Sequence, residues 1–242
     1  MSQNIYDDDG FFAGYSALPR SRFGLDGAPE WPTIQQMLPS MADLDVVDLG
    51  CGFGWFSRWA RSQGAASVLA IDLSEKMLAR ARVDTDDVAI TYQRGDLEHL
   101  DLPASSFDLA YSSLTLHYID HLDQLLATVF RALRPDGKLV ATVEHPVMLA
   151  PSHPAFIEGP NGGPVWPLDR YLEQGERRVD WLADGVRKHH RTIEGYLAAL
   201  WRAGFQLTDL REWGATANDV AEHPDWAAEV HRPYFLLLAA TR

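Results

Sequence analysis

The chain has 242 residues, 46% of them hydrophobic and 23% charged, a composition that supports a sizeable core and excludes wholesale disorder. The 34 acidic residues against 21 basic ones leave a net charge of −13, and a surface of that sign repels phosphate backbones and anionic lipid, which excludes an extended binder of either. The single cysteine excludes a disulfide framework and a cysteine-rich zinc site.

By length the chain is one large domain or a domain with a cap. Its first residues, MSQNIYDDDGFF, are acidic and polar where a secretory leader is basic and then apolar. The longest apolar run, Phe235 to Ala240, is far short of the roughly 20 residues a membrane helix needs. A cytoplasmic protein with no membrane or nucleic-acid partner is therefore expected; the oligomeric state is left open.

No internal repeat is visible. Tyr6, Phe11, Phe12 and Tyr15 make the first segment rich in aromatic residues. Asp45 to Leu49 reads as a buried strand running into a glycine loop, and Trp55, Phe56, Trp59 and Ala60 then recur at helical spacing up to Gly64. Ser67 to Asp72 is a second strand, and Ser74 is the N-cap of a helix that buries Met77, Leu78 and Ala81. Val88 to Gln93 and Phe107 to Ser112 are a third and a fourth strand. Leu122, Leu125, Leu126, Val129, Phe130 and Leu133 form the stripe of a helix, broken by Arg134-Pro135-Asp136-Gly137 before a fifth strand, Lys138 to Val143. Strands alternating with helices at this spacing imply a parallel, doubly wound α/β sheet.

Residues 146–190 break the rhythm with Pro, Gly and Trp, and read as a long insertion without regular structure, of the kind that forms lids. Helical spacing returns at Ile193, Tyr196, Leu197, Leu200 and Trp201 and stops at Gly204; Phe205 to Leu210 and Tyr234 to Ala240 are the last two strands.

The sharpest local signal is Val46-Val47-Asp48-Leu49-Gly50-Cys51-Gly52-Phe53-Gly54, between a strand and a helix. Glycines there let the backbone approach a ligand, and the helix start supplies N–H donors. Asp72 closes the next strand, where an acidic side chain accepts from a ribose diol. A dinucleotide fingerprint needs a small residue at position 55, which holds Trp55. The order Gly50-x-Gly52-x-Gly54 instead resembles the S-adenosylmethionine loop of class I methyltransferases. The likeness continues through Gly95-Asp96-Leu97, Phe107-Asp108-Leu109-Ala110-Tyr111-Ser112-Ser113 and Leu133-Arg134-Pro135-Asp136-Gly137-Lys138-Leu139, covering residues 45–143 in order.

That resemblance implies a Rossmann-like, seven-stranded, mostly parallel sheet with its last strand antiparallel. The implied organisation is an N-terminal lid (1–40), a cofactor-binding core (41–145), a substrate cap inserted after the fifth strand (146–190) and a C-terminal helix with two strands (191–242). It implies S-adenosyl-L-methionine as cofactor. Asp48, Gly50, Cys51 and Gly52 would face its methionine part, and Asp72 its ribose. Leu73 and Met77 would flank the adenine, Asp96 would bond its amino group, Leu97 would pack on its ring, and Ser112 would lie under the sulfonium. Arg20 or Arg22 would pair with the methionine carboxylate.

The sulfonium is an activated donor, so a nucleophilic Cys51 is not required; alignment, exclusion of water and a base are what the protein supplies. His117 and His145, each just beyond a strand's carboxyl end, are the candidate bases, and Tyr15 a candidate aromatic neighbour of the methyl group. No metal site is expected from His117 and His121, and His189 and His190 are expected at the surface. The position where amino-group methyltransferases carry Asn/Asp-Pro-Pro-Tyr/Phe reads Ser112-Ser113-Leu114-Thr115, against a nucleic-acid acceptor. The aromatic residues Phe156, Trp166, Tyr171, Trp181, Trp213 and Trp226 in the insertion and the last long loop suit a flat, partly apolar acceptor, so methyl transfer to O, N or C of a small aromatic or heteroaromatic metabolite is expected. The competing readings are a NAD(P)-dependent oxidoreductase and a non-catalytic cofactor-binding regulator.

Overall fold

In the computed structural model, which describes residues 2–242, the chain opens with three short helices, α1 (Asp9–Ser16), α2 (Pro19–Arg22) and α3 (Trp31–Met37). The Asp8 carboxylate caps α1 by accepting from the Phe11 amide, and Pro19 starts α2 where its missing N–H costs nothing. The core follows as β1 (Asp45–Leu49), α4 (Trp55–Ser62), β2 (Ser67–Asp72), α5 (Glu75–Val83), β3 (Ile90–Arg94), β4 (Phe107–Ser113), α6 (Leu122–Ala132) and β5 (Leu133–Glu144). After β5 come α7 (Pro146–Leu149), the hairpins β6 (Ile157–Glu158) with β7 (Pro164–Val165) and β8 (Gly175–Val179) with β9 (Val186–His190), then α8 (Ile193–Ala203), β10 (Gln206–Trp213), α9 (Ala217–Glu222) and β11 (Phe235–Thr241).

Seven strands form one sheet in the order β3-β2-β1-β4-β5-β11-β10, and β11 alone runs against its neighbours β5 and β10. Both faces are buried, which is why β1 and β11 are runs of buried, mostly apolar residues rather than alternating. Val47 and Leu49 meet Leu125 and Val129 of α6 and Leu200 of α8 on one face. Val46 points to the other, toward Phe56 of α4, Leu78 of α5 and Ile34 of α3. The strand order reverses between β1 and β4, and at such a switch point the carboxyl ends of the strands open a crevice.

Two differences from the sequence reading have physical causes. Arg134–Gly137 does not separate α6 from the fifth strand; Leu133 already pairs with Phe107, and the four residues loop out before Lys138 pairs with Leu109. Asp136 takes a left-handed turn there, and Arg134 is tied to Asp45 and Asp108. The 146–190 insertion is not irregular either. β9 turns Val186, Lys188 and His190 inward, so its buried face carries a lysine and a histidine and shows no apolar alternation to read. His190 is accordingly buried, its Nε2 on the Tyr171 carbonyl at 2.8 Å, rather than at the surface. Among the described residues no helix is long and apolar enough to cross a membrane.

Candidate active site

The loop between β1 and α4 turns because three glycines take positive φ: Gly50 at 78°, Gly52 at 52° and Gly54 at 72°. The Gly50 and Cys51 amides both donate to the Ile71 carbonyl, which fixes the loop against the end of β2. A side chain at Gly50 would meet Thr115 Oγ1 at 2.1 Å, whereas one at Gly52 would project into open space. That open space belongs to a cavity of about 770 Å³ along the carboxyl edge of the sheet.

Two carboxylates stand beside the loop. Asp72 Oδ2 accepts from the Gly52 amide at 2.8 Å and its Oδ1 from the Ser74 amide at 2.9 Å; burial, opposed by these bonds, leaves its pKa above the ordinary value. Asp48, buried at the end of β1, accepts from the Ser57 hydroxyl at 2.7 Å, and burial pushes its pKa up to about 7. Cys51 lies on the cavity wall but is buried, and burial together with Asp72 and Asp48 raises its thiol well above normal, so it stays protonated and unreactive.

Farther along, Leu73, Met77, Asp96 and Leu97 line the same cavity, with Asp96 capping the turn that follows it through the Glu98 amide. Ser112 does not: it is fully buried, and its hydroxyl donates to the Leu49 carbonyl at 3.0 Å, tying β4 to β1. The next residues, Ser113, Leu114 and Thr115, take the place on the wall expected for it.

The N-terminal segment lies across the opening. The Ser2 hydroxyl donates to Asp96, Gln3 bonds the backbone of Gly185 and of Arg187 at the start of β9, and Asp7 accepts from the Ser74 hydroxyl and the Lys76 amide at the start of α5. Tyr15 lines the cavity, packed edge-on to Phe53, Tyr6 and Trp181, and burial raises its phenol. Arg20 also reaches the wall but is already matched by the buried Glu30 at 2.8 Å, while Arg22 is exposed against Phe23.

The two candidate histidines separate. His117 lines the cavity, fully buried; its Nδ1 accepts from the Glu144 amide at 3.4 Å, and burial lowers its pKa to about 3, so the imidazole is neutral. His145 is turned away from the cavity. Its Nδ1 accepts from the Val147 amide at 3.2 Å to cap α7, and its Nε2 meets Glu212 at 2.9 Å, leaving neither nitrogen for a substrate. His189 reaches the cavity edge beside Asp120.

Of the aromatic residues expected over the acceptor, Trp181, Trp213 and Trp226 line the cavity. Phe156 and Trp166 pack on each other, with Trp166 donating to the Val147 carbonyl and lying under Arg232. Tyr171 holds the start of α8, its hydroxyl accepting from the Ile193 amide. Sequence reasoning missed Thr115, the Arg20–Glu30 pair and Glu144 with Lys188. Glu144 directly precedes His145 in sequence, and only its place at the end of β5 marked it out.

The donor set fits S-adenosylmethionine. An open glycine cradle lies between two carboxylates, and the Trp55 indole Nε1 is buried on the same wall without a protein partner among the described residues. The likenesses to known proteins agree. Residues 47–141 match the family described as a methyltransferase domain. The fold superposes on an S-adenosylmethionine-dependent methyltransferase of Mesorhizobium loti with a TM-score of 0.87 and 52% identity, covering 90% of this chain and 100% of that one. A Listeria monocytogenes protein assigned to the same class gives a TM-score of 0.80 and 34% identity over 88% of this chain and 97% of its own. The malonyl-[acyl-carrier protein] O-methyltransferase of Pectobacterium atrosepticum is 42% identical over 101 residues, 42% of this chain and 39% of that protein. These findings set aside the nicotinamide and non-catalytic readings left open by the sequence. The glycine cradle, its flanking carboxylates and a relative of half-identical sequence over nine-tenths of the chain agree: the protein belongs to the S-adenosylmethionine-dependent methyltransferases.

Proposed function

We propose that the protein methylates a small aromatic or heteroaromatic acceptor. The observation that carries this reading is the composition of the cavity wall beyond the glycine loop, where Trp31, Tyr111, Trp213, Trp226, Tyr234 and Phe235 meet. Flat apolar rings complement a flat acceptor, and Arg20 on that wall is already neutralised by Glu30, which disfavours a carboxylate acceptor. When bound, the cofactor supplies a methyl group on a sulfonium, already activated for in-line displacement. In this reading Asp48, Gly50, Cys51 and Gly52 hold its methionine part, Asp72 its ribose, and Leu73, Met77, Asp96 and Leu97 its adenine. Tyr15 turns its ring toward the methyl group, and the N-terminal segment with the β8–β9 hairpin excludes water. His117, neutral and on the wall, positions the acceptor side; His145 has no part in it.

The experiment is incubation of the protein with methyl-labelled S-adenosylmethionine and a panel of phenols, quinols and indoles, with malonyl-acyl carrier protein as a comparison. Label in an aromatic product is expected. Label carried only by the acyl carrier protein would overturn the aromatic assignment.

A further inference from the structure

Lys188 is a lysine 3% exposed, on the inward face of the inserted β9 strand. Burying an ammonium is costly unless it is paired. Its partner is Glu144 at the end of β5: Lys188 Nζ donates to Glu144 Oε1, and the ammonium lies over the rings of Trp181 and Tyr118, 4.8 and 5.7 Å from their centroids. His117 completes the group. Its Nδ1 accepts the Glu144 amide hydrogen, so the proton of the neutral ring sits on Nε2, 4.0 Å from the same Oε1. Of the three side chains, Lys188 is sealed in and His117 lies on the cavity wall but is only 1% exposed, whereas Glu144 on the same wall is 18% exposed. Its Oε2 has no hydrogen-bond partner among the described residues. Burial alone would raise the Glu144 carboxyl; the N–H edge of the neutral His117 ring and the Lys188 ammonium outweigh it and bring the pKa below the ordinary value, so the group presents an anion.

We propose that Glu144 is the residue that grips the O–H or N–H of the acceptor and receives its proton, with Lys188 and His117 as positioning residues. The inference rests on the aromatic-acceptor reading above and narrows it to acceptors that carry hydrogen on the atom methylated. The acceptor's X–H proton passes to Glu144 Oε2, X uses the electron pair so released for its new bond to the methyl carbon, and the pair of the broken S–C bond stays on sulfur. The other charged and titratable groups that face Glu144 are Arg20 from α2, Tyr118 beside His117, Tyr196 from α8 and Tyr234 before β11.

The arrangement also says why the insertion belongs to the site. Lys188 is the buried counter-charge of a β5 residue, so the docked β8–β9 hairpin supplies the charge that offsets the burial of Glu144 at the cavity.

The test compares binding of phenol with anisole, and of indole with N-methylindole, to the protein saturated with S-adenosylhomocysteine, read by tryptophan fluorescence. A hydrogen bond to a charged acceptor predicts that the X–H member of each pair binds roughly ten-fold tighter. In Glu144→Gln this preference should shrink several-fold with S-adenosylhomocysteine affinity kept, while the melting temperature falls because the buried Lys188 ammonium loses its counter-charge. In Lys188→Met the preference should return only at raised pH, because the unpaired carboxyl holds its proton longer, and Lys188→Arg should restore the native profile. Equal binding of both members of each pair overturns the assignment of Glu144 alone. Failure of all four probes to bind overturns the aromatic-acceptor reading and this inference with it. A Glu144→Gln variant that still binds S-adenosylhomocysteine and keeps the full preference also overturns it.

Discussion

The Ser2 hydroxyl stands 2.8 Å from both carboxylate oxygens of Asp96, two residues separated by 94 positions of sequence. Asp96 is the group proposed for the adenine amino function, so the N-terminal segment competes for it. Removing that competitor should tighten binding. Ser2→Ala is expected to lower the dissociation constant of S-adenosylmethionine by about two- to twelve-fold, the worth of one net hydrogen bond of ~0.5–1.5 kcal/mol. Calorimetric titration measures it; weaker binding in Ser2→Ala would mean that Ser2 orients Asp96 rather than blocking it.

Asp48 makes cofactor affinity depend on pH. Burial raises its pKa to about 7, so the carboxyl is protonated and neutral below that value and an anion above it. A ligand cation beside it favours the anion and therefore releases a proton on binding below pH 7. Affinity should rise as pH rises toward 7, by up to about tenfold per unit, and level off above. In Asp48→Asn the profile should be flat, since the amide cannot titrate. A flat profile in the native protein would show that no cation approaches Asp48.

His145 provides the opposite case, a histidine whose loss should damage the fold and spare the site. It caps α7 and ties it to Glu212 of β10. His145→Ala should cost ~1–2 kcal/mol, the usual range for a lost cap, which is a fall of about 2–8 °C in melting temperature for a chain of this size. Cofactor affinity should stay within about two-fold of native, because neither ring nitrogen faces the cavity. An unchanged melting temperature with lost methyl transfer would restore His145 to the site.

The glycine loop, the strand order and the cofactor edge were legible because each is written in local sequence: positive φ demands glycine, buried strands demand apolar runs, and Asp48, Asp72 and Asp96 close or follow strands. The acceptor side was not, because its contacts are long-range. Lys188 reaches Glu144 across 44 positions from a strand whose inward face is polar, and periodicity gives no warning of such a pair. His117 and His145 looked alike in sequence, each just past a strand. What separates them is only that α7 turns immediately after His145 and takes its ring as a cap. The same holds for Ser112 and Thr115, three residues apart, of which the fold seals one against Leu49 and sets the other beside the glycine loop.

Gly50 and Gly52, two residues apart, should respond to alanine in different ways. At Gly50 an added Cβ meets Thr115 Oγ1 at 2.1 Å and the Thr115 Cβ at 2.8 Å, so the loop or the turn after β4 must move. The left-handed backbone adds about 1–2 kcal/mol. Gly50→Ala should therefore lower the melting temperature by more than about 5 °C and weaken cofactor binding as a consequence. Replacing Thr115 by Gly in the same chain should recover the steric part and leave only the backbone part. At Gly52 the Cβ meets nothing within 4 Å, so the stability loss is limited to the backbone part. Its methyl group instead occupies cavity space beside the amide that Asp72 holds, and Gly52→Ala should weaken S-adenosylmethionine binding at least ten-fold while melting within a few degrees of native. Thermal melts and calorimetric titrations of the three variants separate the two effects. A Gly52→Ala protein that binds the cofactor normally would move the cofactor away from this loop.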